Sequence, residues 1–206
     1  MSHYPVIGDV GETLRHVLWS QMQADGTITG ILSDFSHVTV DPPFRLFKDD
    51  APQENYLSVY LFRVLENADL RNGPQFAAPA PDYQYPPLVL NFYYLITPLT
   101  NSAVNDQMLL GRTMQVLYDH ATLRGSDLQG MLRTNAEELR VTLSPTSLED
   151  VTKLWCAFLR PLRLSVVYEV RAVVIDSERV TRMEPVVVKR LEFEQAFEQA
   201  AVEAAP

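Results

Sequence analysis

The sequence predicts an α/β (α+β) protein, a mixed central β-sheet flanked by helices, and three observations lead there. First, Leu88–Thr97 carries apolar residues on both parities: Leu88, Leu90, Phe92, Tyr94 and Ile96 alternate with Val89, Asn91, Tyr93, Leu95 and Thr97. A strand points these sets to opposite faces, so this one is expected to be covered on both sides. Second, the period then changes from two to 3.6, with Leu110, Met114, Leu117 and Ala121 at helical spacing and Leu109 and Val116 widening the stripe. Third, strand-like and helix-like stretches alternate along the rest of the 206 residues.

In chain order, Val6–Gln23 reads as the first helix, with Ile7, Val10, Leu14, Val17 and Leu18 on its apolar face. Gly26 and Gly30 then loosen the chain. Val38–Val40 is a short β-like run stopped by Asp41, Pro42 and Pro43, and Leu46-Phe47 continues as an irregular edge. Asn55–Leu65 is a strand in which Leu57, Val59, Leu61 and Arg63 alternate with Ser58, Tyr60, Phe62 and Val64. It is expected to pair with Leu88–Thr97 as a wide hairpin, with Pro87 and Pro98 bracketing the second strand because neither can donate to a ladder. Ser102 is placed to cap the central helix, and His120 to bond its last carbonyls.

Beyond it, Gly125–Arg133 is mixed, with Leu128, Met131 and Leu132 able to share a face. Glu138–Leu143 is a third strand, with Leu139, Val141 and Leu143 on one side. Thr146/Glu149 or Ser147/Asp150 opens the next helix, which buries Val151, Leu154, Trp155 and Phe158 and stops by Pro161. Leu162–Ile175 reads as the longest strand. One parity (Leu162, Leu164, Val166, Tyr168, Val170, Ala172, Val174) is clean core; the other, with Arg163, Glu169 and Arg171, faces solvent or a polar partner. Residues 1–178 make one domain on this reading. Residues 179–206 extend it with a strand at Val186–Val188 and an acidic amphipathic helix over Arg190–Ala204.

Between the hairpin strands, Gly73–Pro87 carries Pro74, Pro79, Pro81, Pro86 and Pro87 with alanines among them. This is a loop, not a domain linker. Its aromatics Phe76, Tyr83 and Tyr85 either fold back on the domain edge or form a contact surface.

The formal net charge of −9 and the absence of any Lys/Arg run argue against nucleic acid, whose partners carry a basic footprint. No uninterrupted apolar run approaches the ~20 residues of a membrane span, and no signal pattern opens the chain. Folding in the cytoplasm is expected. The lone Cys156 lies in an apolar run and reads as a buried thiol. His3, His16, His37 and His120 have no neighbouring Cys, His or carboxylate pair at ligand spacing, so no metal is expected. Asp119-His120 is the most enzyme-like pair, and a helix C-terminus explains it better. No phosphate loop or nucleophile elbow is present, so neither a cofactor nor an enzymatic activity is expected.

Three co-linear segments carry a resemblance: Tyr60–Asn72, Pro86–Thr97 with Leu110–Leu117, and Leu162–Arg171. Together they resemble the cap, or tail-terminator, proteins of extracellular contractile injection systems, which are phage-tail-like particles. The resemblance covers roughly Val6 to Ser177. It implies an α/β tail-terminator fold and a structural protein, forming a homohexameric ring at the distal end of inner tube and sheath and ending their polymerisation. Partners would be further copies of the chain and the sheath and tube subunits, in a particle assembled in the cytoplasm and then released. A non-enzymatic adaptor for a peptide or effector near such a particle is the alternative. Arg71, Phe76, Tyr83 and Tyr85 are the expected partner-facing residues, because exposed aromatics and Arg anchor interfaces. A sheath arm added as a strand would need an open edge, near Val38 or Val186.

Overall fold

The computed structural model describes residues 4–48, 51–70, 82–84, 86–134, 138–178 and 180–182. Helix α1 (Val6–Met22) buries Val6, Val10, Leu14, Val17, Leu18 and Met22 on one stripe. Ile7, expected on that stripe, is 36% exposed: the buried face starts at Val6, a 100° step away. The glycine pair does not simply loosen the chain. Asp25 accepts from the Thr27 and Ile28 amides and so caps a single turn, α2 (Gly26–Thr29). Strands β1 (Val38–Thr39), β2 (Phe47–Lys48) and β3 (Ala51–Pro52) are short, and β2 and β3 pair only with each other. Strand β4 (Tyr56–Glu66) and β5 (Asp82–Gln84) precede the central β6 (Leu88–Leu99).

Helix α3 (Ala103–Asp119) follows, with Ser102 as its N-cap, accepting from the Asn105 amide. His120 ends it, its Nδ1 lying 3.0 Å from the Val116 carbonyl. Ala121, expected on the buried stripe, falls past the helix end and is exposed. Strand β7 (Thr122–Arg124) and helix α4 (Gly130–Thr134) come next. The Asp9 carboxylate accepts from the Met131 amide and the Thr13 hydroxyl from the Gln129 amide, so α1 holds α4 in place. Strand β8 (Glu138–Leu143) leads to α5 (Leu148–Ala157), where Ser147 is the cap used: it accepts from the Asp150 amide and donates to the Asp150 carboxylate. Strands β9 (Val166–Ile175) and β10 (Val180–Arg182) complete the order.

The main sheet runs β1-β4-β6-β9-β8-β7. Only β1–β4 is parallel; β4 and β6 pair as the expected wide hairpin. Register sets the faces. On the first, Val59, Ile96, Tyr94, Phe92, Tyr168, Val170 and Val141 meet α1 and α3 in one continuous buried cluster. On the second, buried Leu95 and Val167 lie opposite one another. Trp155 of α5 reaches that side, its indole N–H donating to Ser165, and Phe158 stacks edge-on to Tyr60. Both faces of β6 are therefore covered, as its double apolar parity requires.

Three departures from simple alternation matter. Strand β6 runs through Pro98 to Leu99, with Pro98 opposite Leu57. The β6–β9 ladder stops at Ile96–Val166: continuing the register would set Leu164 against Pro98, which has no N–H to give. Residues 162–165 are accordingly outside the strand, and Leu162 and Leu164 are each 46% exposed. A bulge in β4 between Leu61 and Arg63 adds one residue and moves Arg63 off the core parity, opposite Tyr93. A second bulge, in β9, brings Val173 to the core in place of the expected parity. Leu143 ends its strand 51% exposed, and Cys156 is exposed on the outer side of α5.

Contacts divide the chain into two units, Met1–Gln75 with Pro86–Ser177, and Phe76–Tyr85 with Glu178–Pro206. In the second, β5 and β10 form an antiparallel pair, Tyr83 opposite Thr181. The Val186 and Arg190–Ala204 elements expected from the sequence lie outside the described residues.

Candidate assembly surface

The second sheet face carries a polar constellation on a row across four strands: Arg63 opposite Tyr93, Tyr93 opposite Glu169, Glu169 opposite Thr142. Glu169 is 7% exposed. A carboxylate that dry needs partners, and it has them. Tyr93 donates its hydroxyl at 2.8 Å and Asn91 its amide at 3.1 Å to Oε1, while Arg171 donates Nε at 2.7 Å to Oε2 and pairs with it through Nη2. Burial, and then the bond to Glu169, push the Tyr93 hydroxyl's pKa up; the bond to Glu169 raises that of Arg171. The Arg63 guanidinium lies 5.5 Å from the centre of the Tyr93 ring.

The network also reaches the end of β4. Asn67 donates its side-chain amide to Asn91 Oδ1 at 3.0 Å, and its own Oδ1 accepts from the Asp69 and Leu70 amides. A buried anion thus fixes, through two asparagines, the point from which the chain leaves toward residue 71. Of the expected partner-facing residues, Arg71, Phe76 and Tyr85 lie outside the described residues; Tyr83 is described as a backbone position in β5. The expected edge near Val38 is found: β1 is an outer strand of the sheet.

Sequence reading missed Asn67, Asn91 and Glu169 as one cluster. A polar residue at matching parity on each of two adjacent strands is the available signal, since cross-strand partners on one face touch. Apolar surface is exposed as well. Met114, Leu117, Tyr118, Val141, Leu143 and Tyr168 line an open hollow of about 640 Å³ at the end of α3, with Tyr118 84% exposed. Leu159, just past α5, is 89% exposed at φ 55°. Among the described residues no three His, Cys, Asp or Glu gather as a metal site, and no helix is long and apolar enough to cross a membrane.

This architecture is that of tube terminators. The chain is similar to the PVC sheath/tube terminator of an extracellular contractile injection system, seen by cryo-EM in the extended state, with TM-score 0.63 and 18% identity over 98% of this chain and 68% of that one. It is also similar to the tube-terminating cap of the anti-feeding prophage, with TM-score 0.52 and 18% identity over 81% of this chain and 60% of the other. Residues 9–189 match the Pvc16 N-terminal domain, and the chain belongs to that family. None of the curated proteins matches it.

Proposed function

We propose that this protein is a structural cap, or tail terminator, of a contractile phage-tail-like injection particle. The observation that carries the reading is the likeness to a sheath/tube terminator over 98% of the chain, joined to the family match. In this role identical subunits close into a ring, a homohexamer, through heterologous contacts that each use two different patches. One side of the ring binds the last layer of tube and sheath; the other offers nothing to a further layer. The protein works by fit and not by catalysis, without cofactor or nucleic acid. Residues 1–178 make the body of the ring and residues 179–206 an extension, and the particle is assembled in the cytoplasm before release.

Arg71, Phe76, Tyr83 and Tyr85 are proposed to face the partner, because aromatic and Arg side chains anchor interfaces. Co-expression with tube and sheath subunits tests the reading by electron microscopy of tube lengths. The wild-type chain should give a narrow length distribution with density at one end. Joint alanine substitution of Arg71, Phe76, Tyr83 and Tyr85 should broaden it without lowering the unfolding midpoint. Unchanged lengths when the protein is omitted would refute the terminator role.

A further inference from the structure

The turn after α5 inverts the usual order of burial. Leu159, Leu162 and Leu164 are exposed, while Arg160 and Arg163 between them are half-buried, their guanidiniums lying 5.2 and 5.1 Å from the centre of the Phe47 ring. The turn is firmly held. Leu159 and Arg160 donate their amides to the Cys156 and Trp155 carbonyls, Pro161 fixes the next φ, and Arg163 donates to the Thr100 carbonyl at 3.3 Å. Glycine is the ordinary residue at such a helix end, yet here a leucine takes φ 55° and stands in water. The same unit carries an opposite shape in the hollow of about 640 Å³ at the end of α3, which no charged side chain lines. That volume takes several side chains, since roughly 150 Å³ already holds a benzene ring. The outward stripe of α3 leading into it, Val104, Met108, Gly111, Gln115 and Tyr118, is exposed and uncharged too. Phe158 sets the turn against Tyr60 on one sheet face, whereas Val141 and Tyr168 place the hollow on the α3 face. One copy cannot fill its own hollow with its own turn; two copies can.

We propose that the Leu159–Leu164 turn of one copy seats in the α3 hollow of the next, its leucines packing against Tyr118, Leu143 and Met114. This deepens the terminator reading and rests on it, because a contact between two different patches repeats head to tail and can close as a ring. Each copy carries a net charge of −9, so an apolar contact forms against long-range repulsion, and half-assembly should move to lower concentration as salt rises. The full chain is followed by sedimentation from micromolar to millimolar concentration. Leu159→Gly, which relaxes the helix end, and Tyr118→Lys in the hollow should each raise the half-assembly concentration at least about tenfold without lowering the unfolding midpoint. Leu148→Ala, at an exposed leucine outside both patches, should not move it. Mixed in equal amounts, the two weakened variants should form dimers and nothing larger, since each pair keeps one intact turn and one intact hollow. A wild-type chain monomeric at every concentration, assembly that either variant leaves unchanged or that salt weakens, or no dimers on mixing would each overturn the contact. Tube lengths that still depend on the protein would then leave the terminator reading standing, and a ring that survives both variants would remove these two patches alone.

Discussion

Replacing Glu169 with Ala removes the acceptor shared by Tyr93, Asn91 and Arg171 on the second sheet face, and the contributions can be estimated separately. The Arg171 side chain is 57% exposed, so its bonds pass to water and account for only about 0–1 kcal/mol. Tyr93 and Asn91 are half-buried and lose a charged acceptor, at about 1–2 kcal/mol each. The expected destabilisation is therefore about 2–5 kcal/mol, a fall in midpoint on the order of 10 °C for a chain of this length. Glu169→Gln keeps an oxygen for Tyr93 and Asn91 and should lose about half as much. Arg171→Ala should cost less than about 1 kcal/mol. Urea unfolding followed by circular dichroism gives the energies, and amide exchange at Asp69 and Leu70 reports whether the entry to the following segment loosens. If Glu169→Ala unfolds like the wild type, or Arg171→Ala costs as much as Glu169→Ala, the network is not what holds this face.

Gly130 sits at φ 57°, and a Cβ there would collide with the Asp9 carboxylate that caps α4. Gly130→Ala should cost about 2 kcal/mol or more from backbone strain and the broken cap, visible as a lower unfolding midpoint. Leu159 adopts φ 55° while 89% exposed, so Leu159→Gly should stabilise by about 1 kcal/mol by relieving the left-handed strain; a destabilised variant would show that the leucine is packed. Burial raises the pKa of the Tyr94 hydroxyl, which has no hydrogen-bond partner among the described residues. Its folded pKa lies above the unfolded value near 10, so its contribution is intact below that pH and is lost as pH rises further. Tyr94→Phe should leave stability at pH 7 equal or raise it by about 1 kcal/mol, and should flatten the alkaline fall in unfolding free energy.

Much of the fold was legible from local pattern. The double apolar parity of Leu88–Thr97 required cover on both faces, and α3 on one side and α5 on the other supply it. Ser102, Ser147 and His120 announced helix ends because capping chemistry is local. The family resemblance carried by Tyr60–Asn72, Pro86–Thr97 and Leu162–Arg171 agrees with the match over residues 9–189.

What pattern alone misassigned were the places where two strands disagree in count. Strict alternation put Arg63 with Leu57, Val59 and Leu61, and left Glu169 toward solvent or a polar partner. One inserted residue in β4 carries Arg63 to the opposite face, and pairing with β6 sets Glu169 against Tyr93 and beside Asn91. Alternation is a property of one strand and is written in its residues. Register belongs to a pair of strands distant in sequence, so the buried anion and the row that joins Arg63, Tyr93 and Glu169 exist only once β4, β6 and β9 have met.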